Sequence, residues 1–319
     1  MIVHRGLDDL QPLSNAVVTS GTFDGVHRGH QTILARLTEV AKTSNGQSVL
    51  ITYWPHPRTV VSNDSQDLKL LTTLDEKIEL LDQAGVDHLV VIPFTRSFSQ
   101  LSSEEYIRQI LIEKIGTKKL VIGYDHRFGR DREGGFEYIQ AHQSEYGFEV
   151  EEIPRHDVEA IGVSSSKIRT ALTNGNIQTA NRFLGRPYGL TGTIVKGKQL
   201  GRTIGFPTAN MQVDDAHKLV PANGVYAVDV LHGGQTFGGR IHGGMLNIGF
   251  RPTVDAATAA GTNQTIETYV FDFDRDIYGE HLTLRFREFL RPEQKFEGLS
   301  ALIAQLKRDE ESARAVLRA

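Results

Sequence analysis

The sequence changes its grammar at Arg186-Pro187, and no single fold class satisfies both sides of that point. Before it, from Val17 to about Ile153, short β-rich runs alternate with helical stretches. Ser48–Tyr53, His88–Ile92, Lys119–Gly123 and Phe148–Ile153 read as strands, and Thr73-Leu74-Asp75-Glu76 and Ser102-Ser103-Glu104-Glu105 carry the capping-box pattern of helix starts. Repeated strand–helix units predict an α/β fold with a doubly wound parallel sheet and ligands at the carboxyl ends of its strands. After Arg186 helices nearly vanish. Glycine-punctuated β runs follow, Gly189–Lys196, Gly224–Leu231, Ile266–Phe271 and His281–Phe289, which predict a small antiparallel β-barrel. Leu299, Leu302, Ile303 and Leu306 then recur at i, i+3, i+4 and i+7, the stripe of a closing amphipathic helix. The expected domains are 1–186 and 187–319. The first includes two short linker helices within Ser164–Leu184, separated by Asn174-Gly175-Asn176.

Within the first part, Gly21-Thr22-Phe23-Asp24-Gly25-Val26-His27-Arg28-Gly29-His30 joins an apolar run, Ala16-Val17-Val18, to Ile33, Leu34, Leu37, Val40 and Ala41, spaced for one face of a helix. Strand, glycine-bearing turn and helix N-terminus in that order make an anion site. Free backbone N–H groups point outward there, and glycines let a phosphate come close. His27 and His30 add donors able to follow charge onto a phosphoryl oxygen. Three more segments fall where strand ends or helix starts converge on this turn. They are Trp54-Pro55-His56-Pro57, Gly123-Tyr124-Asp125-His126-Arg127-Phe128-Gly129 and Val163-Ser164-Ser165-Ser166-Lys167-Ile168-Arg169.

Composition narrows the chemistry. No cysteine is present among 319 residues, which excludes disulfides, thiolate metal sites and cysteine nucleophiles. Net charge is −4. Divided after Arg186, the first part holds 20 basic and 24 acidic residues and the second 15 and 15. Neither part has the basic surplus of a nucleic-acid binder. The opening residues lack a signal-peptide core and no stretch is long and apolar enough to span a bilayer, so a cytoplasmic protein without membrane partners is expected. Nothing in the sequence reads out an oligomeric state.

The F-D-G-V-H-x-G-H turn, with its three companion segments, resembles the FMN adenylyltransferase module of bacterial bifunctional riboflavin kinase/FAD synthetases, within the nucleotidyltransferase superfamily. The resemblance spans nearly the whole chain. It implies that ATP contacts Gly21, Phe23, Asp24, Gly25, Asp125, Ser164, Ser165 and Ser166, and that His27, His30 and Arg169 act on the phosphates. Trp54 and Phe128 are the rings expected to stack on the isoalloxazine. Some members carry a basic residue before the Val-Ser-Ser run, where this chain has Gly162. Adenylyl transfer from ATP to FMN starts from a phosphate oxygen that is already an anion, so alignment and charge stabilisation carry it and no base is needed.

The second part has its own signature. Gly192-Thr193-Ile194-Val195-Lys196-Gly197 and Gly201-Arg202-Thr203-Ile204-Gly205-Phe206-Pro207-Thr208-Ala209-Asn210 are similar to the riboflavin kinase nucleotide loop and its PTAN motif. That resemblance implies ATP contacts at Gly192, Gly205, Thr208 and Asn210, with Thr208 and Asn210 holding Mg²⁺. A hydroxyl and an amide at i and i+2 share one side of an extended segment, and Mg²⁺ takes few protein oxygens. Riboflavin's hydroxyl must lose a proton to become a good nucleophile, and Glu267, before the Phe271-Asp272-Phe273-Asp274 run, stands where the family carries its base. Arg291, in Arg291-Pro292-Glu293-Gln294-Lys295-Phe296, is a candidate flavin-side residue, and Ala256–Gly261 reads as a small-residue insertion. The implied substrates are ATP, riboflavin and FMN. An adenylyltransferase for another substrate leaves the fused PTAN barrel unexplained, and a flavin sensor with decayed catalysis leaves the retained polar set unexplained.

Overall fold

The computed structural model describes residues 1–62, 68–153, 162–197, 199–232, 240–250 and 264–318. The expected insertion at Ala256–Gly261 lies outside them. The chain divides into two compact units, 1–165 and 166–319.

In the first unit six strands form one parallel sheet: β1 (Ile2–Arg5), β2 (Ala16–Ser20), β3 (Gln47–Trp54), β4 (His88–Pro93), β5 (Thr117–Gly123) and β6 (Glu149–Ile153). Their spatial order is β1-β4-β3-β2-β5-β6. Adjacent residues of the central strands face opposite ways. Val17, Leu50, Leu89 and Val121 enter one core with Leu34 and Leu37 of α1 (Arg28–Thr43) and Leu80 and Leu81 of a helix at Leu74–Gln83. Val18, Ile51, Val90 and Ile122 enter the other, against Ile107, Ile110 and Leu111 of a π-helical stretch, Tyr106–Ile115. Strands covered on both faces read as continuous apolar runs, which is why the sequence showed them. Short β1 at the sheet edge, with Ile2 58% exposed, carried no such signal and went unpredicted.

From β2 the chain winds outward through β3 and β4, then returns to place β5 on the other side of β2. The winding reverses between β2 and β5, and a doubly wound sheet opens its ligand crevice at the carboxyl ends of such a pair. The turn at 21–27 leaves β2 there, and residues 124–129 leave β5 there. Between β3 and β4 lie α2 (Pro57–Val61) and α3 (Leu74–Gln83). The helix starts foreseen at Thr73 and Ser102 both form complete capping boxes.

The second unit opens with two helices, Ser165–Thr173 and Ile177–Leu184, which turn their buried faces to a barrel. The Ala222 N–H donates to the Leu172 carbonyl at 3.0 Å, and Asn181 donates to the Phe286 carbonyl and accepts from the Tyr188 N–H, both at 2.8 Å. The barrel comprises β7 (Tyr188–Val195), β8 (Ala209–Val213), β9 (Gly224–His232), β10 (Arg240–Phe250), β11 (Gln264–Val270) and β12 (His281–Arg291). It closes in the order β10-β11-β8-β7-β12-β9, all antiparallel. Strands β8 and β10 escaped the sequence reading: the first is five residues long and the second carries Gly243, Gly244 and Gly249. The closing helix, Leu299–Arg318, packs Ile303, Leu306, Val316 and Leu317 against Phe206, Ala227, Met245 and Phe271, while Leu299 at its start is 58% exposed.

Candidate active sites

The turn after β2 is strained. Phe23 (φ 45°), Gly25 (φ 83°) and Val26 (φ 37°) all occupy the left-handed region, which a β-branched valine strongly disfavours. Each such non-glycine residue costs on the order of 1–3 kcal/mol and persists only where its surroundings over-determine it. Here they do. The buried Asp24 carboxylate accepts from the Leu71 and Thr72 N–H groups at 3.0 and 3.2 Å, and Thr72 Oγ1 accepts from the Gly25 N–H at 3.2 Å. Lys77 Nζ donates to the Thr22 carbonyl at 2.7 Å, Gln31 Nε2 to the Val26 carbonyl at 2.9 Å, and Ser165 Oγ to the Asp24 carbonyl at 3.0 Å.

This turn delivers His27 and His30. His27 caps α1, its Nδ1 accepting from the His30 N–H at 3.3 Å, which leaves the proton of a neutral ring on Nε2. The two imidazoles stack with centroids 3.6 Å apart and planes 12° from parallel, and Phe23 supports His30 at 4.7 Å. His27 is buried and His30 half-buried, so a pair of ring nitrogens is presented at a helix N-terminus on a rigid base.

Asp125 is exposed just beyond β5. Next to it, His126 Nε2 meets Ser20 Oγ at 2.9 Å, and burial holds the imidazole at a pKa of about 4, neutral at pH 7. Tyr53 and Tyr106 join hydroxyls at 2.9 Å in the same layer, and burial raises the pKa of both. Of the expected stacking rings, Trp54 is half-buried with the Lys77 ammonium 5.6 Å from its centre. Phe128, the other ring expected to stack, is 6% exposed, with Tyr106 at 5.1 Å and Gly134 against its ring. Gly162 adopts φ 62°, a backbone that a basic side chain would fit only under strain. Ser164 and Ser165 are half-buried, and Ser166 and Arg169 belong to the second unit.

In the barrel, pairing of β8 with β11 sets Asn210 opposite Glu267. Thr208 Oγ1 lies 3.5 Å from Glu267 Oε2. Hydroxyl, amide and carboxylate, 59 residues apart at the extremes, thus converge on one patch of the wall. The preceding loop wraps it closely. A Cβ at Gly197 would fall 2.4 Å from Asn210 Nδ2, and the Phe206 N–H donates to the Gly201 carbonyl at 2.8 Å. Gly192 lies in β7 with Gln212 backbone against it, and Gly205 takes φ 85°. Arg291 is committed elsewhere: its guanidinium grips Asp309 of the closing helix at 2.7–3.1 Å, and Gln305 donates to the same buried carboxylate at 2.8 Å. That pairing makes it a brace for the segment after β12.

The residues missed by sequence reasoning are the supports: Lys77 and Thr72 beneath the turn, and Ser20 with His126 between β2 and β5. A lysine after a capping glutamate reads as solvated helix surface, so no signal in the sequence pointed to it.

The description FAD synthetase matches residues 10–167, and riboflavin kinase matches residues 184–317. The bifunctional riboflavin kinase/FMN adenylyltransferase of Listeria monocytogenes is 38% identical over 94% of this chain and 92% of its own length. That of Escherichia coli K12 is 38% identical over 97% and 96%. A crystal structure from Streptococcus pneumoniae, solved under the name macrolide-efflux protein, superposes with a TM-score of 0.87 at 30% identity, over 98% of this chain and 99% of the other.

Proposed function

The chain belongs to the bifunctional riboflavin kinase/FMN adenylyltransferase family, and from that premise we propose which residues carry its two reactions. It phosphorylates riboflavin with ATP to FMN, then transfers an adenylyl group from a second ATP to FMN, giving FAD and pyrophosphate.

For the first reaction we assign the region 187–319. Glu267 accepts the proton as riboflavin's 5′-oxygen bonds to the γ-phosphorus of ATP and the bond to the bridging oxygen breaks, releasing ADP. The observation that carries this is the meeting of Glu267 with Thr208 and, across the strand pair, Asn210. The Thr208 hydroxyl and Asn210 amide oxygen are the hard-oxygen donors Mg²⁺ prefers, with phosphates and water completing the shell, which leaves the Glu267 carboxylate to accept the proton. Bound there, Mg²⁺ would neutralise phosphate charge. Gly192 and Gly205 let the nucleotide approach the loop.

For the second reaction we assign the region 1–186. His27 and His30 hold the α-phosphate oxygens as the FMN phosphate attacks and pyrophosphate departs, with Ser164 on the triphosphate and Asp125 at the nucleotide; the family resemblance adds Ser166 and Arg169 as phosphate residues. Gly21, Phe23, Asp24, Gly25 and Ser165 shape the turn around ATP, and Trp54 offers the flavin a ring. ATP, riboflavin and FMN are its partners, in the cytoplasm; among the described residues no helix is long and apolar enough to cross a membrane. Incubation with riboflavin, ATP and Mg²⁺ followed by chromatography should show FMN rising first and FAD after it. FMN that never proceeds to FAD would remove the second assignment.

A further inference from the structure

Lys77 of α3 is 2% exposed, yet it carries an ammonium into the interior beneath the turn at 21–27. It donates to the Thr22 carbonyl at 2.7 Å and lies 5.6 Å from the Trp54 ring centre. The titratable groups of the turn itself are Asp24, whose buried carboxylate attracts the ammonium, and His27 and His30 beyond it. On its own helix, Glu76 folds back to the Thr73 N–H at 3.0 Å. The helix therefore does not need Lys77 for its cap, and a buried ammonium is an expensive way to fill space.

Resting on the assignment of His27 and His30 above, we propose that Lys77 is a positioning residue for adenylyl transfer. Its charge, set between the Thr22 carbonyl and Asp24, holds Phe23 and Val26 in their left-handed conformations and so aims the two histidines. Without that charge the turn loses its attraction to Asp24 and relaxes toward ordinary φ values. A displacement of about 1 Å at groups that align a reaction costs roughly 10²-fold in rate.

Burial lowers the Lys77 pKa from 10.5 to about 8, against the smaller opposing pull of Asp24. The sign is informative. Between about pH 8 and 10.5 the unfolded chain binds the proton that the folded chain has released, so this group makes stability rise with pH across that window. Over the same window the charge that aims the histidines disappears. A lysine serving the fold alone would leave the activity of the folded chain unchanged across this window; here activity falls while stability rises.

The test compares the full chain with Lys77→Met, Lys77→Arg and the neutral pair Asp24→Asn/Lys77→Met, supplied with FMN, ATP and Mg²⁺. Lys77→Met should lose about 100-fold in kcat for FAD formation with KM for FMN nearly unchanged, while riboflavin phosphorylation on the same chain proceeds normally. Parent FAD formation should fall above pH 8, a limb absent from the neutral pair and moved upward by arginine. The parent's unfolding midpoint should gain on that of Lys77→Met as pH rises from 8 to 10.5. FAD formation at the parent rate in Lys77→Met, or an unchanged limb in the neutral pair, overturns the inference. His30→Ala in the same series separates the failures: if it too makes FAD normally, the site assignment fails rather than the role of Lys77.

Discussion

The two units meet the same problem, moving a phosphorus group of ATP onto a flavin, with opposite kinds of structure. The parallel sheet presents its candidate groups on a strained turn, with Val26 at φ 37° and two imidazoles stacked 3.6 Å apart. The barrel presents its groups on regular strands, where antiparallel register sets Glu267 opposite Asn210. The nucleophiles explain the difference. A phosphate arrives charged and needs only aligned donors, which a helix N-terminus and its turn supply. A hydroxyl must lose a proton, which needs a carboxylate held at fixed distance, and a strand pair supplies that.

The largest effect that could break this contrast is at the base. Glu267→Gln keeps the side chain's shape but removes its proton acceptor, so riboflavin phosphorylation should fall roughly 10²–10⁴-fold. FAD formation from supplied FMN should hold, as measured by flavin chromatography. His30→Ala should do the reverse, cutting FAD formation by about 10²–10³ with FMN formation intact. Equal losses in both activities would point to damaged folding instead.

A smaller effect sharpens the account of the barrel. Gly197→Ala sets a methyl 2.4 Å from the Asn210 amide and must push it aside. Phosphorylation should drop by about tenfold, less than the ~10² of a full 1 Å displacement, with KM for ATP raised and FAD formation untouched. The smallest expected change in riboflavin phosphorylation comes from cutting the chain. Segments 166–319 and 187–319 should each make FMN but no FAD. The shorter one loses the helices that carry Leu172 and Asn181, and uncovering one large buried apolar side chain costs about 1.5–3 kcal/mol. It should therefore unfold at lower denaturant, and equal midpoints would show that these helices do not belong to the barrel.

Sequence patterns exposed what is repetitive and hid what is exceptional. Central strands covered on both faces were visible as apolar runs, and the turn after β2 and the loop before β8 were visible as glycine-rich motifs. Edge strand β1, five-residue β8 and glycine-broken β10 were not, because their pairing partners supply the order that their own residues lack. The site residues divide similarly. Thr208, Asn210 and Glu267 were expected together and lie together. The packing of the Phe128 ring on Tyr106 and the pairing of the Arg291 guanidinium with Asp309 are tertiary facts that no local pattern encodes. Nor could the sequence show that Phe23 and Val26 adopt positive φ, since side chains of their kind ordinarily avoid it.

Two independent sites on one chain that perform two different chemistries can be separated by mixing variants. Glu267→Gln and His30→Ala proteins are each given riboflavin, ATP and Mg²⁺, separately and then together, and FAD is measured. Alone, the first should stall at riboflavin and the second at FMN. Together they should make FAD, because FMN formed in the barrel of one chain can be adenylylated by the turn of another. A mixture that accumulates FMN but forms no FAD would contradict the account, showing that adenylyl transfer requires an intact kinase site on the same chain.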